Sequence, residues 1–393
     1  MSRRRLLMAC PNSWDSPLQV GSHHLARCFV HAGWDVAFLS DPISPWHLCR
    51  GLTDDLRRRF AVYRAGGKED LDGHLWTYVP AALMTPHNKP ILRSDFVHRH
   101  WPRWTWPDVA GRVRRRGFGR VDLLYIDSAH QSFWLDAVTY RQAVYRVADY
   151  NPHFEKYTPA TRALEEEMAR RVDLVVYPSR GLRGYAEALG ARRSLYLPNG
   201  VAYEHFARPQ PPPPEYRRLR RPIAVYLGVM PAWFNFAWIR SAARELPAMS
   251  FVLIGPDQLA RRELRGAANV HLLGSRDFAT VPAYLQHADV GLMPFDARRN
   301  PRGVDVLNPQ KLYAYLACGL PVVSSTWEEI QNLGSPAKVC ASAEEFVAAL
   351  RQAVCEPGDA DMRRQYAARF AWQHRVTALL AELSLNAGHT RAA

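Results

Sequence analysis

The feature that most restricts the fold is a series of short apolar runs without the in–out alternation of half-solvated strands. Residues 121–126 are almost continuously apolar and end at Asp127, and residues 142–148 end at Asp149. Residues 5–10, 34–39, 75–79, 172–177, 223–227, 251–254 and 270–273 read as further strands. Near-continuous runs suit parallel strands covered on both faces. Helix-period segments separate them. Leu25, Cys28 and Phe29 share one face of a helix predicted over 23–31, which Gly33 ends. The alternation predicts open, doubly wound α/β sheets. In such sheets ligands gather beyond the carboxyl ends of the strands. That is where Asp127 and Asp149 stand, each suited to general-base work or to fixing a loop.

The chain's 393 residues give room for two domains and two cores. The proline-rich residues 208–214 read as a semi-rigid linker between them. We therefore expect a first domain over 1–205, a second over 206–372, and a C-terminal helix with a disordered tail from Asn386 over 373–393. No run of 18 apolar residues appears, so no spanning helix is expected. The apolar run 6–10 after the basic start is too short for a signal peptide and reads as the first strand. The six cysteines form no CxxC pair and are expected to be reduced core residues of a cytosolic protein. No GxGxxG follows the first strand, which disfavours a dinucleotide cofactor, and no DxD motif implies a bound divalent metal.

Residues 308–325, NPQKLYAYLACGLPVVSS, carry the clearest chemical signal. A helix is predicted over 309–318, with Leu312, Tyr315 and Leu316 as its core stripe. Gly319 and Pro321 stop it, and Val322 and Val323 open a buried strand. Lys311 falls in the first turn, where the helix end is already positive. A cation there fits an anionic ligand, gripped by free backbone N–H groups and one ammonium. A solvated lysine is the plain alternative.

A net charge of +14 favours anionic partners. The charge is densest over 91–120, which holds eight arginines, three tryptophans, two histidines and only two acids. Tryptophan prefers the bilayer interface and arginine prefers anionic headgroups, so an anionic membrane surface is the expected partner. No nucleic-acid module surrounds these residues, and nucleic acid is an unlikely ligand. Glu165, Glu166 and Glu167, followed by Arg170 and Arg171, read as a solvated helix face.

The lysine, the aromatic two places on, the Gly-Leu-Pro and the valine pair resemble the donor-nucleotide helix of GT-B glycosyltransferases. The stretch YRVADYNPHF, residues 145–154, resembles the acceptor side of the xanthan-type glucuronosyltransferase and teichuronic acid glycosyltransferase families. Also familiar in GT-B enzymes are LPNGV near Asn199 and the run ending in ADVGLMPF. The resemblance implies two Rossmann-like, doubly wound domains facing a central cleft. It implies a nucleotide-diphosphate sugar donor, uridine diphosphate among the candidates, and no resident cofactor. Donor contacts would come from Lys311, Gln310, Tyr313, Asn308, Gly228, Met230 and Asn199. The acceptor would meet His23, His24 and Asp127, and Asp149 matches the proposed catalytic base of the glucuronosyltransferases.

Two departures bear on mechanism. Ala314 stands where many relatives carry a ribose-holding glutamate, and Val306 where the large retaining families carry a second one. Their loss leans toward an inverting transferase with Asp149 as base. The expected function is sugar transfer to a lipid-linked or polysaccharide acceptor by a cytoplasmic protein at the inner face of the membrane. A nucleotide-sugar epimerase of the same fold and a non-catalytic scaffold binding membrane or nucleic acid remain as alternatives.

Overall fold

The computed structural model describes residues 3–17, 19–48, 51 and 53–384. Cys49 and the tail from Asn386 lie outside the described residues. Contacts divide the chain into one unit of Met1–Leu197 with Arg375–Ala393, and a second of Pro198–His374. The handover at Leu197 precedes the expected position at 205.

The first unit holds β1 (Arg4–Cys10), β2 (Trp34–Ser40), β3 (Lys68–Asp70), β4 (Leu75–Tyr78), β5 (Arg120–Ile126), β6 (Thr139–Arg146), β7 (Leu174–Tyr177) and β8 (Ser194–Tyr196). They form one sheet in the order β3-β4-β2-β1-β5-β6-β7-β8. All neighbours are parallel except the β3–β4 edge pair. Leu6 through Cys10 are fully buried, as a central strand covered on both faces requires. The edge strand β3 is short and charged, which discourages pairing with other chains. The order reverses at β1, whose neighbours are β2 and β5.

Two helices frame the ligand end of this sheet. Gly21–His31 follows β1 and buries Leu25 and Phe29, and the turn to β2 uses Gly33 at φ +84°. Pro159–Arg171 begins at Thr158, whose hydroxyl accepts from Thr161 N at 3.1 Å. Proline sits in the first turn, where no N–H is missed. The C-terminal helix Trp372–Ser384 joins this unit from Arg375 onward: Gln142 Nε2 donates to Leu383 O at 2.7 Å, and Arg193 pairs with Glu382.

The second unit holds β9 (Ile223–Leu227), β10 (Ser250–Ile254), β11 (Val270–Gly274), β12 (Val290–Met293), β13 (Val322–Ser325) and β14 (Lys338–Cys340). The sheet is parallel throughout, in the order β11-β10-β9-β12-β13-β14. Its order reverses at β9, between β10 and β12. The helix Gln310–Ala317 crosses this sheet with Leu312, Tyr315 and Leu316 fully buried, the stripe its spacing predicts. Gly319, at φ +76°, ends it before β13.

Candidate functional site

In the second unit the site is built on glycine turns. Gly228 follows β9 at φ +129° and donates to Ile254 O at 2.8 Å. Gly255 follows β10 at φ +146° and donates to Gly274 O at 3.0 Å. Three strands thus end on a floor of residues without side chains.

Lys311 stands over that floor. Its Nζ lies 5.1 Å from the centre of the Tyr226 ring and 4.7 Å from that of Phe295. Tyr226 belongs to β9 and Phe295 follows β12, so the ammonium marks the crevice where the strand order reverses. Tyr315 fixes the helix there: its hydroxyl accepts from Leu227 N at 2.8 Å and donates to Leu292 O at 3.3 Å. Among the described residues no carboxylate pairs with Lys311. Burial pushes its ammonium down to about 8, although the side chain is only half-buried by surface area. The helix start has Pro309 at its cap position and no side-chain cap hydrogen bond, which leaves its first N–H groups without a capping side chain among the described residues. Gln310 is half-buried beside them, and among the described residues its amide has no protein partner.

The other expected donor contacts are packed into the protein. Asn308 is buried: its Oδ1 accepts from Asn199 N at 3.2 Å and from the Tyr313 hydroxyl at 3.1 Å, and its amide donates to Glu329 at 3.0 Å. Asn199 Nδ2 donates to Asn308 O at 2.8 Å. Tyr313 is fully buried with its ring 4.4 Å from Phe370, and Met230 is core. These four hold the wall of the site and present no free polar edge. Of the expected set, Lys311 and Gly228 meet at the glycine floor, and Gln310 precedes Lys311 on the same helix.

In the first unit the ends of β1, β5 and β6 gather a second group. Ser22, in the first turn of Gly21–His31, donates to Asp127. Arg146, at the end of β6, reaches both Asp127 oxygens at 3.2 and 3.3 Å, and the pair's side chains are only 10% and 3% exposed. Burial lifts the Asp127 carboxyl, against the pull of Arg146 and then Ser22. Burial works most strongly against the Arg146 charge, but Asp127, Tyr125 and Asp149 together outweigh it and hold the guanidinium above its ordinary range. Asp127 is thus the counter-charge of a buried arginine, which corrects its assignment to the acceptor.

Asp149 is different. Three residues past β6, it is exposed, and among the described residues its carboxylate accepts no hydrogen bond. Protein crowding around it raises the carboxyl above the ordinary range, with Arg146 opposing and Asp127 reinforcing. Exposure by area and crowding pull in opposite senses. The side chain is exposed by area, so solvent screens the rise.

His23 is fully buried. Its Nε2 lies 2.9 Å from Ser13 O, its Nδ1 accepts from Val20 N at 3.2 Å, and its ring stacks on Trp14. Both nitrogens are occupied in fixing the loop after β1, which corrects the acceptor assignment. His24 is also buried.

The arginine–tryptophan segment divides. Trp101 is core, and its Nε1 donates to His130 O at 2.8 Å. Arg99, Arg114 and Arg116 are paired with acids, and Arg112 bonds Gly66 O. Trp106 is 81% exposed and Ile91 76%, with Phe96 and Leu83 also open to solvent. Arg93, Arg103 and Arg115 are exposed, and among the described residues none has an acidic partner. The patch is real but smaller than composition suggests. No described helix is long and apolar enough to cross a membrane. Among the described residues no three His, Cys, Asp or Glu side chains group to hold a metal.

Sequence reasoning missed Arg146 and Glu165. The expected solvated glutamate face is corrected at Glu165, which is fully buried. Thr161, Leu164 and Met168 share its face at helical spacing, a signal the sequence did contain.

Residues 8–178 match the family described as glucuronosyltransferase GumK, N-terminal domain, and residues 221–356 match glycosyl transferases group 1. TuaH of Bacillus subtilis (strain 168), itself provisionally assigned as a teichuronic acid biosynthesis glycosyltransferase, is 31% identical over 197 residues. That match covers 47% of this chain and about half, 49%, of the relative. Sucrose-phosphate synthase from Thermosynechococcus elongatus superposes with a TM-score of 0.70 at 15% identity, covering 98% of this chain and 100% of that one. Anabaena HepE in complex with UDP gives 0.64 at 14% identity, over 97% and 100% of the two chains. Both likenesses concern the fold.

Proposed function

We propose that this chain, whose fold and two matched domains resemble those of GT-B glycosyltransferases, moves a sugar from a nucleotide-diphosphate donor to a lipid-linked or polysaccharide acceptor, with inversion. The observation that carries this reading is the half-buried Lys311 ammonium, without an anionic partner among the described residues, at the strand-order reversal of the second sheet. A pyrophosphate there would meet one cation, the start of a helix and a floor of glycines. As the bond from anomeric carbon to phosphate oxygen breaks, charge grows on the leaving diphosphate, and Lys311 would stabilise it. Asp149 would take the proton of the attacking hydroxyl: it is exposed, among the described residues it accepts no hydrogen bond, and its carboxyl is raised above the ordinary range. The HepE structure contains UDP, which makes uridine diphosphate the donor nucleotide to test first. The exposed Leu83, Ile91, Phe96 and Trp106, with Arg93, Arg103 and Arg115, which have no acidic partner among the described residues, would bring the enzyme to the membrane surface that carries a lipid-linked acceptor.

The test is thermal protection of the purified chain by UDP, followed by UDP release from UDP-glucose and UDP-glucuronate with lipid extract added. Protection that Lys311→Ala removes, and release that requires the lipid fraction and disappears in Asp149→Asn, are expected. Protection unchanged in Lys311→Ala overturns the donor site. Full turnover in Asp149→Asn overturns the base.

A further inference from the structure

We propose that Glu165 is a positioning residue for the transfer reaction, clamping the segment that carries Asp149. The inference rests on the role given to Asp149 above. Glu165 is fully buried on the helix Pro159–Arg171. Its Oε1 accepts from the Tyr145 hydroxyl and from Asn151 Nδ2 at 2.7 Å. Its Oε2 accepts from the Tyr157 and Tyr185 hydroxyls, each at 2.6 Å. Four neutral donors thus converge on one carboxylate, and among the described residues no lysine or arginine pairs with it. An apolar residue would fill this helix position without the desolvation that a buried carboxylate incurs. What the carboxylate adds is connection. Two oxygens accept four bonds, and an ionised acceptor makes the stronger kind.

The donors bracket Asp149. Tyr145 lies four residues before it on β6, Asn151 two residues after it, and Tyr157 closes the same segment. Asp149 accepts no hydrogen bond of its own among the described residues, so its place is set by the backbone held on either side. Tyr185, from the helix Arg183–Ala188, ties the clamp to the body of the unit and packs on Tyr150 with ring centres 5.0 Å apart. Burial raises the phenols of Tyr145, Tyr157 and Tyr185, so they stay protonated and keep donating.

Glu165→Gln keeps the shape but turns an amide N–H₂ toward hydroxyls that must donate. Amide hydrogen exchange over residues 147–158 should rise, with exchange in the body of the sheet unchanged. UDP release from whichever of UDP-glucose and UDP-glucuronate turns over should show kcat lower by about tenfold or more, since small misplacement of a catalytic group is costly. The acid limb of the pH–kcat profile should move, and the donor KM and the thermal shift by UDP should stay as in the wild type. Glu165→Asp should recover part of kcat. The double variant Tyr157→Phe with Asn151→Ala leaves the carboxylate in place and should act in the same direction, which keeps the test available if Glu165→Gln does not fold. If Asp149→Asn abolishes turnover while Glu165→Gln and the double variant keep wild-type kcat and pH profile, the clamp is overturned. If Asp149→Asn itself turns over fully, the base assignment falls first, and the clamp with it.

Discussion

Lys311 leans on Gly228: a Cβ built on that glycine would lie 3.2 Å from the lysine Cε and 3.4 Å from its Nζ. The contact holds an ammonium where folding alone gains little from it. The folded group titrates near 8 against an ordinary 10.5, so the unfolded chain holds the proton more tightly. Stability is therefore reduced below about pH 8 and recovers as pH rises toward 10.5. The two values set an upper bound of about 3 kcal/mol, lessened because solvent still reaches the half-buried side chain. Lys311→Met should raise the melting temperature of this unit at pH 7, with the gain vanishing near pH 10.5. The same variant should lose UDP protection. In the wild type, UDP affinity should fall as pH passes about 8, because the neutral amine no longer attracts phosphate. Calorimetry from about pH 6 to about pH 11, on the wild type and on Lys311→Met, checks both signs.

Gly255 is held by a closer approach. A Cβ there would stand 2.0 Å from the Gly228 carbonyl oxygen, with φ already at +146°. The obstacle is backbone, and the conformation is one that residues with side chains rarely adopt. Gly255→Ala should destabilise the second unit by about 2 kcal/mol or more, and displace the Gly228 turn with it. Denaturant unfolding measures the first effect, and weakened UDP protection the second. Gly266→Ala is the control: no atom lies near its Cβ, though φ is +87°, so a smaller loss is expected.

Both sheets were legible because parallel strands buried on two faces have little choice of residue. Leu123, Leu124, Val225 and Val252 are 0–1% exposed, and their apolar runs announce them. Lys311 was legible because a cation in a first helical turn is out of place electrostatically. What the runs did not convey is which polar residues face each other. Asn308 looked like a ligand contact in its motif, yet its amide and carbonyl oxygen are consumed by Asn199, Tyr313 and Glu329. Asp127 and Asp149 both follow strand ends, and only the position of Arg146 separates the neutralised one from the open one. Apart from Tyr313 with Asn308, those pairings join residues far apart in sequence, and no local period encodes them.

The Asp127–Arg146 pair makes the distinction measurable. Both side chains are nearly buried, so removing one partner strands the other in a poor solvent. Arg146→Met should cost about 3 kcal/mol by leaving an uncompensated carboxylate, and the loss should shrink as acid neutralises Asp127. The double change Arg146→Met with Asp127→Asn should recover much of the stability, because neither group is then charged. Urea unfolding at neutral and acid pH, completed as a double-mutant cycle, reads the coupling directly. Independent, additive losses would show that the pair contributes nothing as a pair.

The exposed aromatic and basic side chains between residues 83 and 115 give the last prediction. Trp106 has 81% of its surface in water, Phe96 60% and Leu83 68%. Leu83 N donates to Trp104 O at 3.1 Å, and the Trp104 and Phe96 rings lie 5.7 Å apart, so these residues form one patch rather than scattered exposures. Arg93 and Arg103 lie in the same stretch without acidic partners among the described residues. An apolar patch flanked by free guanidinium groups suits an anionic bilayer surface, where rings enter the interface and the cations meet headgroups. Trp106→Ser should weaken binding to phosphatidylglycerol vesicles by about tenfold, the order expected for withdrawing one large ring from the interface. Arg93→Gln with Arg103→Gln should weaken it at low salt and matter little at high salt, where screening has already removed the attraction. Trp101→Ser, by contrast, opens the core and should lower stability, because that ring is only 1% exposed. Vesicle flotation beside thermal melts separates the cases. Wild-type flotation by Trp106→Ser would remove the patch from any role at the membrane.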